Sequence, residues 1–261
     1  ALAVDGGTVK LDGNYPTGTD NVALGNTALD SVEAGGINNV AIGDDAGTAI
    51  TTGDSNVAVG KDALLANTTG NSNVAVGKSV LANNTTAAAN IGVGVNALFT
   101  NITGTDNVAM GSNALYSNTA RRNIAMGTST LICNTSGESN VALGYFSLDA
   151  NTTGSNNVGI AGGLGGNTTG SGNIGIGSGS LGNNTTCSDN VAVGRSAAQE
   201  TNSSHGIVAI GAYALCKNTS GDNNTAVGFC TLECNTSGAS NVALGVKALA
   251  ANTTAPDNTA V

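Results

Sequence analysis

The chain has 261 residues, of which 39 are glycine, four tyrosine and three phenylalanine, and it has no tryptophan. Its eight basic residues and formal net charge of −9 argue against nucleic acid or an anionic membrane as partner, because both are bound by clustered Lys and Arg side chains. No apolar run approaches the roughly 20 residues that cross a bilayer, so we expect no membrane insertion.

Residues 1–20 contain Gly6-Gly7, Pro16 and Gly18, and we expect them to form an irregular N-terminal cap or a docking segment. From residue 21 to 261 the chain is a tandem repeat, which we assign as one repeat domain. The phrase Asn21-Val22-Ala23-Leu24-Gly25 returns as Asn39-Val40-Ala41-Ile42-Gly43 and as Asn56-Val57-Ala58-Val59-Gly60. The step is 17 residues, with one of 18 and two of 16, and the consensus is N-V-A-V-G-x-x-A-L-x-x-N-T-T-G-x-x. Columns are numbered below from its first Asn.

A unit of this length is too short for two helices and a turn, which need about 33 residues in helical arrays. In the unit that starts at Asn56, Val57 and Val59 alternate around Ala58, and a second apolar piece, Ala63-Leu64, follows. Such pieces, bounded by Gly, Asn and Thr, favour two short strands per coil. Stacked coils bury apolar side chains that a single coil would leave exposed. The sequence therefore predicts an all-β fold, a parallel β-solenoid of about 15 coils.

Two columns have a direct structural interpretation. The Asn of the first column, as at Asn56, Asn73 and Asn140, is placed before the strand, where stacked amides can hydrogen-bond from coil to coil. The Gly of the fifth column, as at Gly60 and Gly77, suits a backbone angle that a side chain disfavours.

The third column holds only Ala or Gly. If the second and fourth columns face inward, strand alternation points the third outward, and a surface of small residues indicates another chain packed on it. The predicted interface consists of Ala58, Ala75, Ala109, Ala142, Ala192 and Ala243. The alternative is a narrow coil in which the third column points inward for lack of room.

The twelfth column repeatedly satisfies the N-glycosylation pattern N-x-S/T, which requires an exposed loop of a secreted chain. The predicted glycan sites are Asn67, Asn84, Asn101, Asn134, Asn151, Asn167, Asn184, Asn218, Asn235 and Asn252, with Asn202 one place out of phase. Extra matches occur at Asn83, Asn183 and Asn223. The alternative is a purely structural column, because Asn favours turns and Thr favours strands. Ile50-Thr51-Thr52 keeps the threonines without the Asn, and Asn118-Thr119-Ala120 keeps the Asn without the final hydroxyl, and both support this alternative.

The five cysteines contain no Cys-x-x-Cys pair, and the single histidine leaves no zinc or haem motif. Cys216 and Cys234 fall in neighbouring columns of successive coils, near enough for a disulfide between coils. The alternative for each cysteine is a small buried hydrophobic residue. His205 lies in a Ser-rich corner without the partners of a catalytic set, so we expect a solvated loop residue, no catalysis, and neither cofactor nor metal.

The phrase N-V-A-[VIL]-G-x-x-A resembles the N-x-V-A-I-G-x-x-A repeat of trimeric autotransporter adhesin heads. That resemblance implies a left-handed parallel β-roll, trimerised on its flat side, in an adhesive or fibrous protein of the outer surface. The longer unit and the N-T-T-G insert more closely resemble the N-T-A-L and N-T-T-G arrays of bacterial surface and phage tail-fibre proteins.

These patterns predict a structural subunit of an extracellular filament or fibre that self-associates and carries covalent glycans. The partial unit at Asn258-Thr259-Ala260-Val261 and the strand-like Ala1-Leu2-Ala3-Val4 suggest head-to-tail stacking, or equally an excerpt of a longer chain. The alternative function is an adhesin head or tail-fibre domain with a discrete ligand patch, although the sparse aromatic residues form no continuous column. An ice-binding solenoid is a third hypothesis, and it needs a lattice of exposed threonines.

Overall fold

The computed structural model describes residues 20–33 and 35–261, and it confirms the all-β parallel solenoid. Most of the predicted N-terminal segment, residues 1–19, lies outside the described residues. The chain divides into two compact units, Ala1–Arg121 and Arg122–Val261.

Among the described residues, the first unit contains six strands and the second contains nine. Those of the first are β1 (Val22–Leu24), β2 (Val40–Ile42), β3 (Val57–Val59), β4 (Val74–Val76), β5 (Ile91–Val93) and β6 (Val108–Met110). Those of the second are β7 (Ile124–Met126), β8 (Val141–Leu143), β9 (Val158–Ile160), β10 (Ile174–Ile176), β11 (Val191–Val193), β12 (Val208–Ile210), β13 (Thr225–Val227), β14 (Val242–Leu244) and β15 (Thr259–Ala260).

Within each unit, every strand pairs in parallel with the strand of the next coil. The register places identical columns side by side, as with Val57 beside Val74 and Ala58 beside Ala75. Equivalent residues therefore form continuous columns along each stack.

The second apolar piece of each coil is not the strand that the sequence predicted. Around Ala63-Leu64 the backbone turns, with φ of 58° at Asp62 and 51° at Leu64. These left-handed residues aim their amides at different neighbours: Asp62 N–H donates to Asp44 O in the preceding coil, and Leu64 N–H donates to Val80 O in the following coil, both at 3.0 Å. The hydrogen bonds between coils thus continue through a segment that is not extended.

The core is thin and regular. The leucine of the ninth column is fully buried in most coils, as at Leu64, Leu81 and Leu98. Where the ninth column is Gly47, the buried Ile50 of the twelfth column supplies the missing bulk, and its Cδ1 lies 3.0 Å from the point that a Gly47 Cβ would occupy.

The glycine of the fifth column is required by both angle and space. Gly60 has φ of +126°, and a Cβ there would lie 2.6 Å from the carbonyl oxygen of Gly77. The angle confirms the predicted role of this column. The short distance adds a second requirement, since a side chain would collide with the backbone of the next coil.

Candidate functional site

The first Asn column forms the predicted amide ladder. Asn73 donates its backbone N–H to Asn56 Oδ1 at 3.0 Å, and its Nδ2 donates to the same oxygen at 3.2 Å. Its Nδ2 also donates to Ala87 O at 2.9 Å. The side chain of Asn73 is fully buried, so its polar atoms depend on these partners rather than on water.

The twelfth column forms a second buried ladder. Asn84 Nδ2 donates to Asn67 Oδ1 at 2.7 Å and to Ala87 O at 3.1 Å. The second unit repeats this geometry, with Asn151 Nδ2 donating to Asn134 Oδ1 at 2.8 Å and to Gly154 O at 3.0 Å. Both amide hydrogens of these side chains are therefore used inside the protein.

This arrangement contradicts the predicted glycan sites at the fully buried members of the column. They are Asn67, Asn84, Asn101, Asn134, Asn151, Asn167, Asn184, Asn218 and Asn235. A glycan replaces one hydrogen on Nδ2, and that atom is enclosed and donates to the ladder, so the folded coil has no room for the sugar. Asn202 is exposed and Asn252 is half-buried, and at these two residues glycan attachment stays a prediction.

The two ladders converge on the same stack of backbone carbonyls. In the second unit, Gly154 O accepts Nδ2 of Asn140 at 2.9 Å and Nδ2 of Asn151 at 3.0 Å. Each such carbonyl oxygen has two lone pairs, and the two amides occupy them. The fifteenth-column residue is thus held from both sides inside the coil.

Thr201 interrupts the second ladder. It occupies the twelfth column, and both its Oγ1 and the Oδ1 of Asn184 are buried without a hydrogen-bond partner. In the next coil, Asn218 Nδ2 donates instead to Ser204 Oγ at 2.9 Å. The Ser204 hydroxyl thus gives Asn218 the acceptor that an Asn at position 201 would have provided. Asn184 Oδ1, in the preceding coil, gains no donor in exchange.

The third column points inward, which contradicts the interface predicted at Ala58, Ala75, Ala109, Ala142, Ala192 and Ala243. All six are buried within their own chain. The restriction to small residues comes from the leucine column: where the third column is Gly159 or Gly175, an added Cβ would lie 2.9 Å from Cγ of Leu148 or Leu164. The narrow-coil alternative is therefore correct.

In each unit the second and fourth columns consequently face outward, and we call this surface of a unit its aliphatic strip. The strips comprise the outer residues of β1–β6 in the first unit and of β7–β15 in the second, which are Val, Ile, Leu, Met or Thr, and none of them is buried. Ile210 is 40% exposed and Val242 is 45% exposed. No position in the strip carries a charge.

A third ladder lies at the sixteenth column, where a side chain accepts the backbone N–H of the preceding coil. Ser171 Oγ accepts Ser155 N–H, and Ser188 Oγ accepts Ser171 N–H, each at 3.0 Å. His205 continues the series through Nδ1, which accepts Ser188 N–H at 3.1 Å, and its own N–H donates to Asp222 Oδ1 at 2.8 Å. The exposed histidine therefore has a structural role that the sequence analysis missed.

The predicted bridge between Cys216 and Cys234 is not formed, and both residues are free thiols. Burial, followed by the nearby carboxylate of Glu200, raises the pKa of the Cys216 thiol. The raised pKa disfavours the reactive thiolate form.

Several aromatic residues form small groups. Arg195 Cζ lies 4.9 Å from the ring centroid of Tyr213, and that ring meets Phe229 edge-on with centroids 6.4 Å apart. Tyr145 and Phe146 form a separate edge-on pair, with centroids 4.1 Å apart. These bulky side chains occupy the sixth and seventh columns, which are mostly small or polar elsewhere in the repeat.

Some of the ionisable groups pair at the surface. Two exposed ion pairs, Lys61–Asp44 at 2.6 Å and Arg122–Glu138 at 3.2 Å, connect successive coils. Within residues 20–33 and 35–261, no three His, Cys, Asp or Glu side chains gather closely enough to hold a metal ion. The same part of the chain contains no helix with the length and apolar character to span a membrane.

Comparison with models of known protein families and with curated proteins finds no match to this sequence.

Proposed function

We propose that this chain is a structural subunit of an extracellular filament or fibre, that it associates with itself, and that it has no catalytic role. The observation that carries the proposal is the uniform bonding between coils. Val57 N–H donates to Asn73 O at 2.8 Å, Leu64 N–H donates to Val80 O at 3.0 Å, and Thr68 N–H donates to Thr85 O at 2.8 Å. Gly77 N–H returns a bond to Val59 O at 2.7 Å.

The hydrogen bonding between successive coils suits a protein that bears mechanical load. The bonds run along the direction of stacking, so a pull in that direction is shared among many parallel hydrogen bonds and the two Asn ladders. Each coil contacts mainly its neighbours, so the stack lengthens by adding repeats without a new core. The resemblance of the repeat to those of adhesin heads and tail fibres supports the extracellular location.

Imaging of native material tests the proposal. Immunogold electron microscopy with antibody against the chain should label fibres at the cell surface or in the medium. Diffraction from aligned fibres should show the interstrand spacing of about 4.8 Å along the axis of the coil stack. Labelling confined to dispersed single molecules or to the cytoplasm would contradict the fibre role.

The second candidate function is an adhesin head or tail-fibre domain that binds a surface ligand. The Arg195–Tyr213–Phe229 group favours it, because it departs from the repeat and presents aromatic faces beside a cation, a combination suited to stacking on a sugar ring. Binding of the purified chain to immobilised saccharides tests this role. Tyr213→Ala should abolish such binding and Tyr145→Ala should preserve it, whereas equal binding by both variants would exclude this patch.

A further inference from the structure

We propose that the fourteenth column carries O-linked sugars, attached through the exposed hydroxyl groups of its Ser and Thr side chains. Its members lie at a bend between strands, two residues after the twelfth column, and all of them are exposed. They are Thr52, Thr69, Thr86, Thr103, Ser136, Thr153, Thr169, Thr186, Ser203, Ser220, Ser237 and Thr254. The coils that begin at Asn21 and Asn107 have no hydroxyl at this point. The inference goes beyond the proposed fibre role, since it assigns a modification site and a class of ligand.

The first argument is that these hydroxyl groups are not used inside the protein. In the neighbouring thirteenth column, Thr68 Oγ1 donates to Thr85 O at 3.1 Å and so connects two coils. Within the described part of the chain the fourteenth-column hydroxyls make no comparable bond, apart from a contact between Thr186 and the Cys187 thiol. The solenoid therefore leaves a row of accessible hydroxyl oxygens that its own stability does not require.

The second argument is that the hydroxyl recurs where the surrounding pattern fails. Thr201 replaces Asn in the twelfth column and Asn202 replaces Thr in the thirteenth, yet Ser203 follows them. Ile50 also replaces the twelfth-column Asn, yet Thr52 keeps its hydroxyl. The column is therefore retained neither as the third residue of N-x-S/T nor as an extension of the Thr ladder beside it.

The third argument is that the recurring group is the hydroxyl and not the methyl group of Thr. Serine takes the place of Thr at Ser136, Ser220 and Ser237. Strand propensity does not explain the column, because these residues lie in bends outside the strands. Serine also interrupts the threonine lattice that the ice-binding hypothesis requires. Attachment of a sugar needs only the hydroxyl oxygen, which Ser and Thr share.

Charge favours a neutral sugar over phosphate, the other common modification of a hydroxyl. A phosphate adds about −1.5 to −2 charge at neutral pH. Within a stack, neighbouring members of the column are about 4.8 Å apart, which is less than the Debye length of about 8 Å at physiological ionic strength. The chain already has a net charge of −9 and eight basic residues. A row of phosphates would therefore repel along the stack, whereas uncharged sugars would not.

The attachment is a substitution at the first carbon of the sugar. The Oγ atom attacks C1 of a sugar that is activated as a phosphate ester, and a glycosyltransferase catalyses the step. The Oγ–C1 bond forms while the bond between C1 and the phosphate oxygen breaks. The phosphate group leaves with the electron pair, and the hydroxyl proton passes to a base of the transferase, so no oxidant or reductant is needed.

Mass spectrometry of native material, with fragmentation that keeps side-chain modifications, tests the proposal. Sugar masses should be found on Thr69 and Thr153, while Thr68 and Thr152 in the same peptides should be unmodified. Mild alkali should release the sugars by β-elimination and leave dehydrated residues at the fourteenth-column positions. This comparison places the bonded and the unbonded hydroxyl of one coil in a single measurement.

Two variants produced in the native host separate modification from folding. Thr153→Ala should remove one sugar mass and leave the thermal midpoint unchanged. Thr152→Ala removes the bond from Thr152 Oγ1 to Thr168 O at 3.0 Å and should keep the sugar on Thr153. Sugars retained on the other coils, together with an unchanged circular dichroism spectrum, show that each variant folds.

Three results would overturn the proposal: an unmodified fourteenth column in native material, equal modification of the thirteenth column, or phosphate in place of sugar. An unmodified column in a chain that shows thermal hysteresis would assign the exposed hydroxyls to ice instead. The fibre role does not depend on these outcomes, because imaging decides it separately.

Discussion

Asn56 and Asn67 donate their side-chain amides to one acceptor, the backbone carbonyl oxygen of Gly70, at 2.8 and 3.0 Å. Asn56 is the first-column residue and Asn67 the twelfth-column residue of the same coil. The carbonyl of Gly70 therefore connects the corner before β3 to the corner after Leu64. A Cβ at Gly70 would lie 2.4 Å from Asn67 Oδ1, which indicates how tightly the three residues fit. The coil is therefore closed by polar contacts as much as by its apolar core.

We expect Asn67→Ala to lower the free energy of unfolding by about 2–4 kcal/mol. The change removes the bond to Gly70 O and the acceptor for Asn84 Nδ2, and it leaves a buried donor short of a partner. Urea denaturation followed by circular dichroism measures the loss. Asn83→Ala is the matched control: Asn83 is exposed, so the control should cost less than about 0.5 kcal/mol. Equal losses at both positions would contradict a ladder that contributes to stability.

The interruption at Thr201 leads to the opposite expectation. Thr201→Asn combined with Ser204→Gly restores the consensus of the neighbouring coils and gives Asn184 Oδ1 the donor it lacks. Pairing buried polar atoms should raise the free energy of unfolding by about 1–2 kcal/mol. Thr201→Ala, which removes one unpartnered hydroxyl without restoring the ladder, separates this gain from the simple removal of a polar atom. A double variant no more stable than Thr201→Ala would contradict a stabilising effect of the restored ladder.

Periodicity was sufficient to predict the stacked parallel coils, the first Asn ladder and the glycine corner, because each follows from identical residues lying above one another. It could not decide which strand face points inward, since alternation shows only that the two faces differ. The bulk of Val57 and Val59 favoured the wrong face. The deciding fact is the leucine column, which leaves room only for Ala58 and its equivalents. That packing depends on the left-handed angle at Leu64, and Leu at such an angle has no sequence signature.

The glycan prediction was wrong at the nine buried asparagines for a related reason. The first two residues of Asn-Thr-Thr bond within the stack: Asn67 Nδ2 donates to Gly70 O, and Thr68 Oγ1 donates to Thr85 O at 3.1 Å. The third residue, Thr69, is exposed. Asn-Thr-Thr matches both the N-glycosylation pattern and the hydrogen-bonded column of the solenoid. The sequence alone therefore cannot show which of the two roles the asparagine has.

Gly60→Ala and Gly162→Ala separate backbone strain from collision between coils. Gly60 has φ of +126° and Gly162 has φ of +77°. A Cβ at Gly60 would lie 2.6 Å from Gly77 O, whereas a Cβ at Gly162 would have no atom within 4 Å. Gly162→Ala should cost about 1–3 kcal/mol through the unfavourable angle alone. Gly60→Ala should cost clearly more, measured as a larger drop in the thermal midpoint, and equal drops would contradict the contact between coils.

His205 provides a test of the third ladder. His205→Ser retains an acceptor of the kind found at Ser155, Ser171 and Ser188, and His205→Ala removes it. The cost to global stability should be below about 1 kcal/mol in both variants, because the site is exposed. Hydrogen exchange at the Ser188 amide is the sensitive readout. Its exchange should be faster in His205→Ala and close to the wild-type rate in His205→Ser.

Mass spectrometry of native material tests the correction at the twelfth column. In peptides that contain Asn67, Asn151 or Asn235, the asparagine should be unmodified, because each Nδ2 is buried and hydrogen-bonded. Asn67 Nδ2 donates to one backbone carbonyl. The Nδ2 atoms of Asn151 and Asn235 each donate to a backbone carbonyl and to an Asn side chain of the preceding coil. A glycan on Nδ2 would have to displace those bonds and open the coil.

Asn202 differs, because it is exposed and Thr201 takes the ladder position in its place. If the chain carries an N-glycan within residues 20–33 or 35–261, we expect it at an acceptor that is not buried, rather than at the nine buried positions. These acceptors are Asn83, Asn183, Asn202, Asn223 and Asn252. Release with a glycosidase should leave the thermal midpoint almost unchanged. A glycan found at Asn67 would show that the buried ladder is absent from the native protein.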